Sequence, residues 1–115
     1  MKHVNYRDVD AEPVEMEGAR GVKVRWLISD DDGAPNFCMR RFELEPGGNT
    51  PRHAHPWEHE VYVLEGQGTV FYEGIEEPFT PGDVVYIPPD AEHSFIAYAG
   101  SSAAFLCLIP MSGRK

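Results

Sequence analysis

At 115 residues the chain has room for one domain and one core, which excludes a second catalytic domain. Ten prolines and 11 glycines beside 42% hydrophobic and 11% aromatic residues suit short strands and frequent turns better than long helices. The formal charge of −9 sets up a field that repels phosphate backbones and anionic lipid, so nucleic acid and membrane surfaces are excluded as expected partners.

Residues 1–20 show little periodicity and read as an N-terminal arm or edge strand, leaving 21–111 for the folded domain. Residues 22–28 and 37–44 read as strands separated by the turn-forming stretch Ser29 to Asn36. A third strand begins at Glu60, and Val61–Leu64 running through Glu65-Gly66-Gln67-Gly68 into Thr69–Tyr72 predicts a hairpin with a Gly-rich turn. After the turn Phe79-Thr80-Pro81-Gly82-Asp83 come short strands at Val84–Ile87, Ser94–Tyr98 and Ala103–Ile109, with no convincing helix. The fold class is therefore all-β, and a sandwich or closed barrel is the arrangement that hides the sheet edges. No apolar run approaches the ~18–20 residues needed to cross a bilayer, and Asn5, Tyr6 and Arg7 stand where a signal peptide would place its apolar core. A cytoplasmic location follows as the expectation, and with it Cys38 and Cys107 as reduced, buried thiols.

Three of the five histidines fall within seven residues, in His53-Ala54-His55-Pro56-Trp57-Glu58-His59. Alternate side chains of an extended chain share a face, so His53 and His55 project together, and His59 joins them if Pro56–Glu58 stays extended. Buried together without a metal, their ring nitrogens would need other partners, whereas neutral imidazoles bind zinc, copper, iron and nickel well. A free imidazole would lose such an ion as pH falls through ~6.5.

The spacing resembles the cupin superfamily. Gly47, His53, His55 and Gly66 fit its first motif, with His59 standing where the family usually has glutamate; Glu60 is the alternative ligand, on the opposite strand face. Gly82, Pro88 and His93 fit the second motif, in which Asp90 replaces a glycine and Ala97 an asparagine. Together the motifs span 47–97, and the flanking runs 36–60 and 105–110 are similar to the small four-histidine manganese cupins. The resemblance implies a double-stranded β-helix, or jelly-roll barrel. It also implies one divalent transition metal per chain on His53, His55, His59 and His93, and a homodimer formed by exchange of an N-terminal strand. Manganese is its first choice of metal, and iron, nickel, copper or zinc are compatible with the ligands.

Alternation along 38–45 sets Cys38, Arg40, Phe42 and Leu44 inward. An inward Arg40 is either paired with an internal carboxylate or serves as a clamp for an anionic ligand beside the metal. Phe95 shares the parity of His93, and the resemblance places Phe105 and Cys107 on the cavity wall with Phe42 and Phe95. The function expected is a dioxygenase-like oxidoreductase acting on a small carboxylate or enolizable oxygen compound. The alternatives are a metal-dependent isomerase, lyase or decarboxylase, and a noncatalytic small-molecule-binding protein.

Overall fold

Nine strands form the molecule over residues 1–114, the part described by the computed structural model. They are β1 (Glu12–Pro13), β2 (Arg20–Ile28), β3 (Phe37–Asn49), β4 (His59–Gly66), β5 (Gly68–Tyr72), β6 (Ile75–Phe79), β7 (Val84–Ile87), β8 (His93–Ala97) and β9 (Ala103–Pro110). Single 3-10 turns are the only helical structure among the described residues. Every pairing is antiparallel, in the order β6-β5-β8-β3-β9-β4-β7, with β2 also on β3 and β1 on β2.

β3 joins the two halves of this curled sheet. Its first part runs between β2 and β9, and beyond Gly47, at φ +77°, it reaches β8 through Asn49 opposite Ile96. The sheet can therefore fold over on itself with one apolar face inside. Val61, Val63, Phe79, Phe95, Phe105 and Ile109 belong to the core cluster of that interior. Truncating a buried aromatic such as Phe105 to alanine typically costs ~3–5 kcal/mol.

The Gly-rich segment between β4 and β5 is not a hairpin turn. β4 pairs with β7 and β9, whereas β5 pairs with β6 and β8, so the chain crosses between the halves of the barrel there. The glycines serve close approach: a Cβ on Gly66, itself at φ +83°, would overlap the Ser102 carbonyl, and one on Gly68 would overlap that of Ile96. The partner of β5 is instead β6, a strand absent from the sequence reading. Glu76, Glu77 and Pro78 give β6 no apolar alternation because it is an edge, where charge and proline discourage further pairing. Asp90 does adopt the left-handed conformation that a glycine would supply, at φ +67°.

The N-terminal arm lies against its own chain. β1 pairs with β2, and Arg25 Nη1 donates to the carbonyls of Val9 at 2.6 Å and Tyr6 at 3.3 Å. The Tyr6 ring covers Arg41, 4.1 Å from its guanidinium, which is why an arginine on the outer face of β3 is buried. Arg41 is matched there by Glu43 at 2.8 Å and Glu65 at 3.0 Å.

Candidate metal centre

The loop between β3 and β4 is fastened to β8 by its backbone. Thr50 N donates to Phe95 O at 2.9 Å, and Phe95 N returns a bond to Thr50 Oγ1 at 2.8 Å. Three residues on, His53 and His93 exchange backbone hydrogen bonds of 3.2 and 3.0 Å, and Asp90 N donates to His55 O at 2.7 Å. These bonds set His53 and His55 beside His93, the first residue of β8. The chain then bends at Pro56–Trp57, so the extended path needed for shared parity is interrupted. His59 arrives by another route, as the first residue of β4, opposite Ile87 of β7.

Each of the four rings packs against at least two of the others. Centroids of His53 and His55 lie 4.1 Å apart, those of His55 and His59 4.8 Å, and those of His59 and His93 4.7 Å. One nitrogen each from His53, His55 and His93 lies within 4.8 Å of the others, a three-membered set that does not include His59. His59 Nε2 stands 2.8 Å from His55 Nε2. Two nitrogens bound at right angles to one zinc-sized ion would be about 3 Å apart, given bonds of ~2.1 Å. His93 Nδ1 lies 2.9 Å from the Ala91 carbonyl, which can only accept, so the proton belongs on Nδ1 and Nε2 is left with a lone pair toward the cluster. The Trp57 indole stacks on His55 at 4.4 Å and 7°, holding that ring flat.

Burial keeps these imidazoles neutral. It is the largest cause in each case, reinforced by the neighbouring histidines and Arg40: His53 and His55 are pulled down to about 4 and His59 to about 2. His93 is lowered by burial as well, against the opposing bond to Ala91. For His53, His55 and His59 proton competition is thus displaced from the ~6.5 of a free imidazole to the region of pH 4 and below, and for His93 in the same direction, because the packed environment disfavours the charged ring. Four neutral nitrogen donors fit a divalent transition ion without offsetting its charge.

Arg40 reaches the cluster from β3. Its Nη2 donates to Cys107 Sγ at 3.1 Å and lies 3.5 Å from His59 Nδ1, while Cys107 Sγ is also 3.3 Å from His59 Nδ1. Both cysteines are free and buried, and burial raises the Cys107 thiol despite Arg40. Phe42, Phe95, Phe105 and Cys107 line a cavity of about 380 Å³ together with the four histidines. Phe42 and Phe105 stack at 5.4 Å, and Phe95 tilts against Phe105 at 4.6 Å. Glu60 is exposed on the other face of β4.

Further residues of the wall are absent from the sequence reading: Val14 and Met16 of the arm, Trp26 of β2, Trp57, and Gly113 and Arg114 beyond β9. A Cβ on Gly113 would sit 2.8 Å from Trp57 Nε1, so the C-terminal turn closes flush against that indole. Trp57, lying inside the histidine cluster, had a signal in the sequence. The arm and the C-terminal turn had none, because tertiary contacts alone bring them to the rim.

The pattern of the cupin domain family matches residues 40–109. The dimethylsulfoniopropionate lyase DddW of Ruegeria pomeroyi is 32% identical over 111 residues, covering 84% of this chain and 73% of that protein. The polyketide synthase CurC of Streptomyces cyaneus is 32% identical over 97 residues, 83% of this chain and 63% of CurC, so the chain spans less than two thirds of that relative. Among solved structures, the polyketide cyclase RemF of Streptomyces resistomycificus superposes with a TM-score of 0.92 at 41% identity, covering 96% of this chain and 80% of RemF.

Proposed function

The chain belongs to the cupin family, and from that footing we infer an enzyme that holds one divalent transition metal ion through His53, His55, His59 and His93 and acts on an enolizable carbonyl compound without net redox change. The observation that carries this reading is the clustering of four neutral imidazoles in the wall of a mainly aromatic and aliphatic cavity. A bound divalent ion supplies Lewis acidity toward a carbonyl oxygen. The similarity to a polyketide cyclase over nearly the whole chain supports carbon–carbon or proton-transfer chemistry at that carbonyl over oxygen insertion.

Around it the chain supplies shape and dryness. Phe42, Phe95 and Phe105 exclude water from the space beside the rings and confine a flexible polyketone to compact conformations. Trp57 and the Ala91 carbonyl hold His55 and His93 in fixed orientations. The described wall contains no Asp, Glu, Lys or Tyr, and with the imidazoles assigned to the ion and the Cys107 thiol held protonated by burial it offers no free side-chain base. Manganese is the first candidate ion from the resemblance, and the imidazole set also suits iron, nickel, copper and zinc.

The test is elemental analysis of untagged protein followed by strictly anaerobic incubation with an aromatic poly-β-ketone. The expected result is about one metal per chain and a product differing by loss of water. Turnover that stops without dioxygen, with oxygen gained in the product, would instead establish the oxidoreductase alternative. Absence of metal would remove both readings.

A further inference from the structure

The charge inside the cavity runs opposite to that of the molecule. The chain carries −9, yet no carboxylate lines the described wall, whose charged members are Arg40 and Arg114. Arg114, at the rim, is already matched by Asp30 at 3.1 Å and Asp31 at 3.0 Å. Arg40 is not. Among the described residues no carboxylate comes within ion-pair distance of its guanidinium, and Nε is buried without any hydrogen-bond partner. Its recorded contacts are a sulfur, the Nδ1 edge of His59, and the faces of Phe42 at 4.7 Å and Trp26 at 5.4 Å.

Aromatic faces and a thiol are weak counterparts for a guanidinium, which elsewhere in this chain takes carboxylates: Arg25 and Arg41 share Glu43. The internal-carboxylate alternative for Arg40 is therefore set aside. A half-buried cation left uncompensated beside a site built for a second cation is unfavourable unless the occupant brings negative charge. The two aromatic rings beside Arg40 also restrict its side chain in advance, so less freedom is lost on binding.

We propose that Arg40 is the counter-charge for an acidic oxygen of the substrate, and that the cavity selects a largely apolar, planar molecule bearing a delocalised oxyanion, either a carboxylate or a stabilised enolate. The proposal rests on the enolizable-carbonyl reading above and narrows it to substrates that arrive as anions. Arg40 Nη2 beside His59 puts that oxyanion next to the histidines, with the apolar body against Phe42 and Phe105 and toward Trp26.

Trp26 and Trp57 both line the cavity, so quenching of intrinsic fluorescence reports occupancy directly. Benzoate, its neutral isostere benzamide, and the enolate-forming benzoylacetone are titrated into the protein as purified and after removal of metal by chelation. Benzoate is expected to bind at least tenfold more tightly than benzamide in both preparations, and benzoylacetone to tighten as its enolate forms. The Arg40→Gln and Arg40→Met variants, checked for native circular dichroism, should erase the benzoate preference, and Arg40→Lys should recover part of it. Equal binding of benzoate and benzamide to the unaltered protein overturns the proposal whatever the variants do. So does a benzoate preference that vanishes on chelation and survives Arg40→Gln, which would put the anion on the metal and leave the proposed function standing. An Arg40-dependent preference in a protein that shows no metal and no turnover would sustain the anion site and remove that function.

Discussion

Removing His59 tests the ligand register most directly. Its Nε2 is 2.8 Å from His55 Nε2, its ring is buried, and its pKa is pulled down to about 2, so no proton competes for it at neutral pH and the full consequence of its loss appears in metal affinity. Losing even an outer partner of a metal site typically weakens binding 10–100-fold, so about 100-fold is a conservative figure for a direct ligand. With metal at 1,000 times its dissociation constant, binding stabilises the fold by about 4.1 kcal/mol; after a 100-fold loss the same concentration contributes roughly 1.4. The difference of about 2.7 kcal/mol corresponds to roughly 10 °C of melting temperature in a domain of this size. The assay is thermal melting of His59→Ala and Glu60→Gln with and without added metal. The metal-dependent shift of each variant cancels the packing change made by the substitution. Glu60→Gln should keep the whole shift and His59→Ala should lose most of it. The reverse pattern would show the ligand register to be one residue out and refute the four-imidazole site.

Four other outcomes are expected. Between pH 6.5 and about 4 the unfolded chain protonates His53, His55 and His59 while the folded chain does not, so metal-free protein should lose stability in urea unfolding as pH falls through that window; stability unchanged across it would contradict the neutral cluster. Gly66→Ala should destabilise by about 2–5 kcal/mol in urea unfolding, combining left-handed strain with overlap at Ser102, whereas Gly74→Ala, with the same φ of +83° but open space, should lose only about 1–2. Cys107→Ala should weaken metal binding roughly 10-fold or more, because Sγ lies 3.3 Å from His59 Nδ1 and orients that ring, while Cys107→Ser should retain most of the affinity; equal behaviour of the two would reduce Cys107 to packing. The homodimer by exchange of an N-terminal strand that the resemblance implies predicts a dimer in sedimentation at micromolar concentration; a monomeric parent protein would end that expectation.

The sequence by itself determined the strand-forming runs of β2, β3, β4, β5, β7, β8 and β9, because alternation and turn residues are local properties that each segment carries alone. It also determined the chemistry available, since five histidines with three inside one heptapeptide are a compositional fact that no folding rule alters. Pairing and environment were decided only in three dimensions. Nothing local distinguishes a Gly-rich hairpin from a Gly-rich crossing, and the difference at Gly66–Gly68 lies in the carbonyls of Ser102 and Ile96, which come from distant strands. β6 was illegible because an edge strand is selected to look unlike a strand. His59 faces the other rings although the chain bends before it, because pairing of β4 with β7 and β9, rather than the parity of a continuous strand, sets its direction. The lack, among the described residues, of a carboxylate beside Arg40 and the burial that holds the histidines neutral are properties of what surrounds a residue; they come into being only when the sheet closes and water leaves its interior.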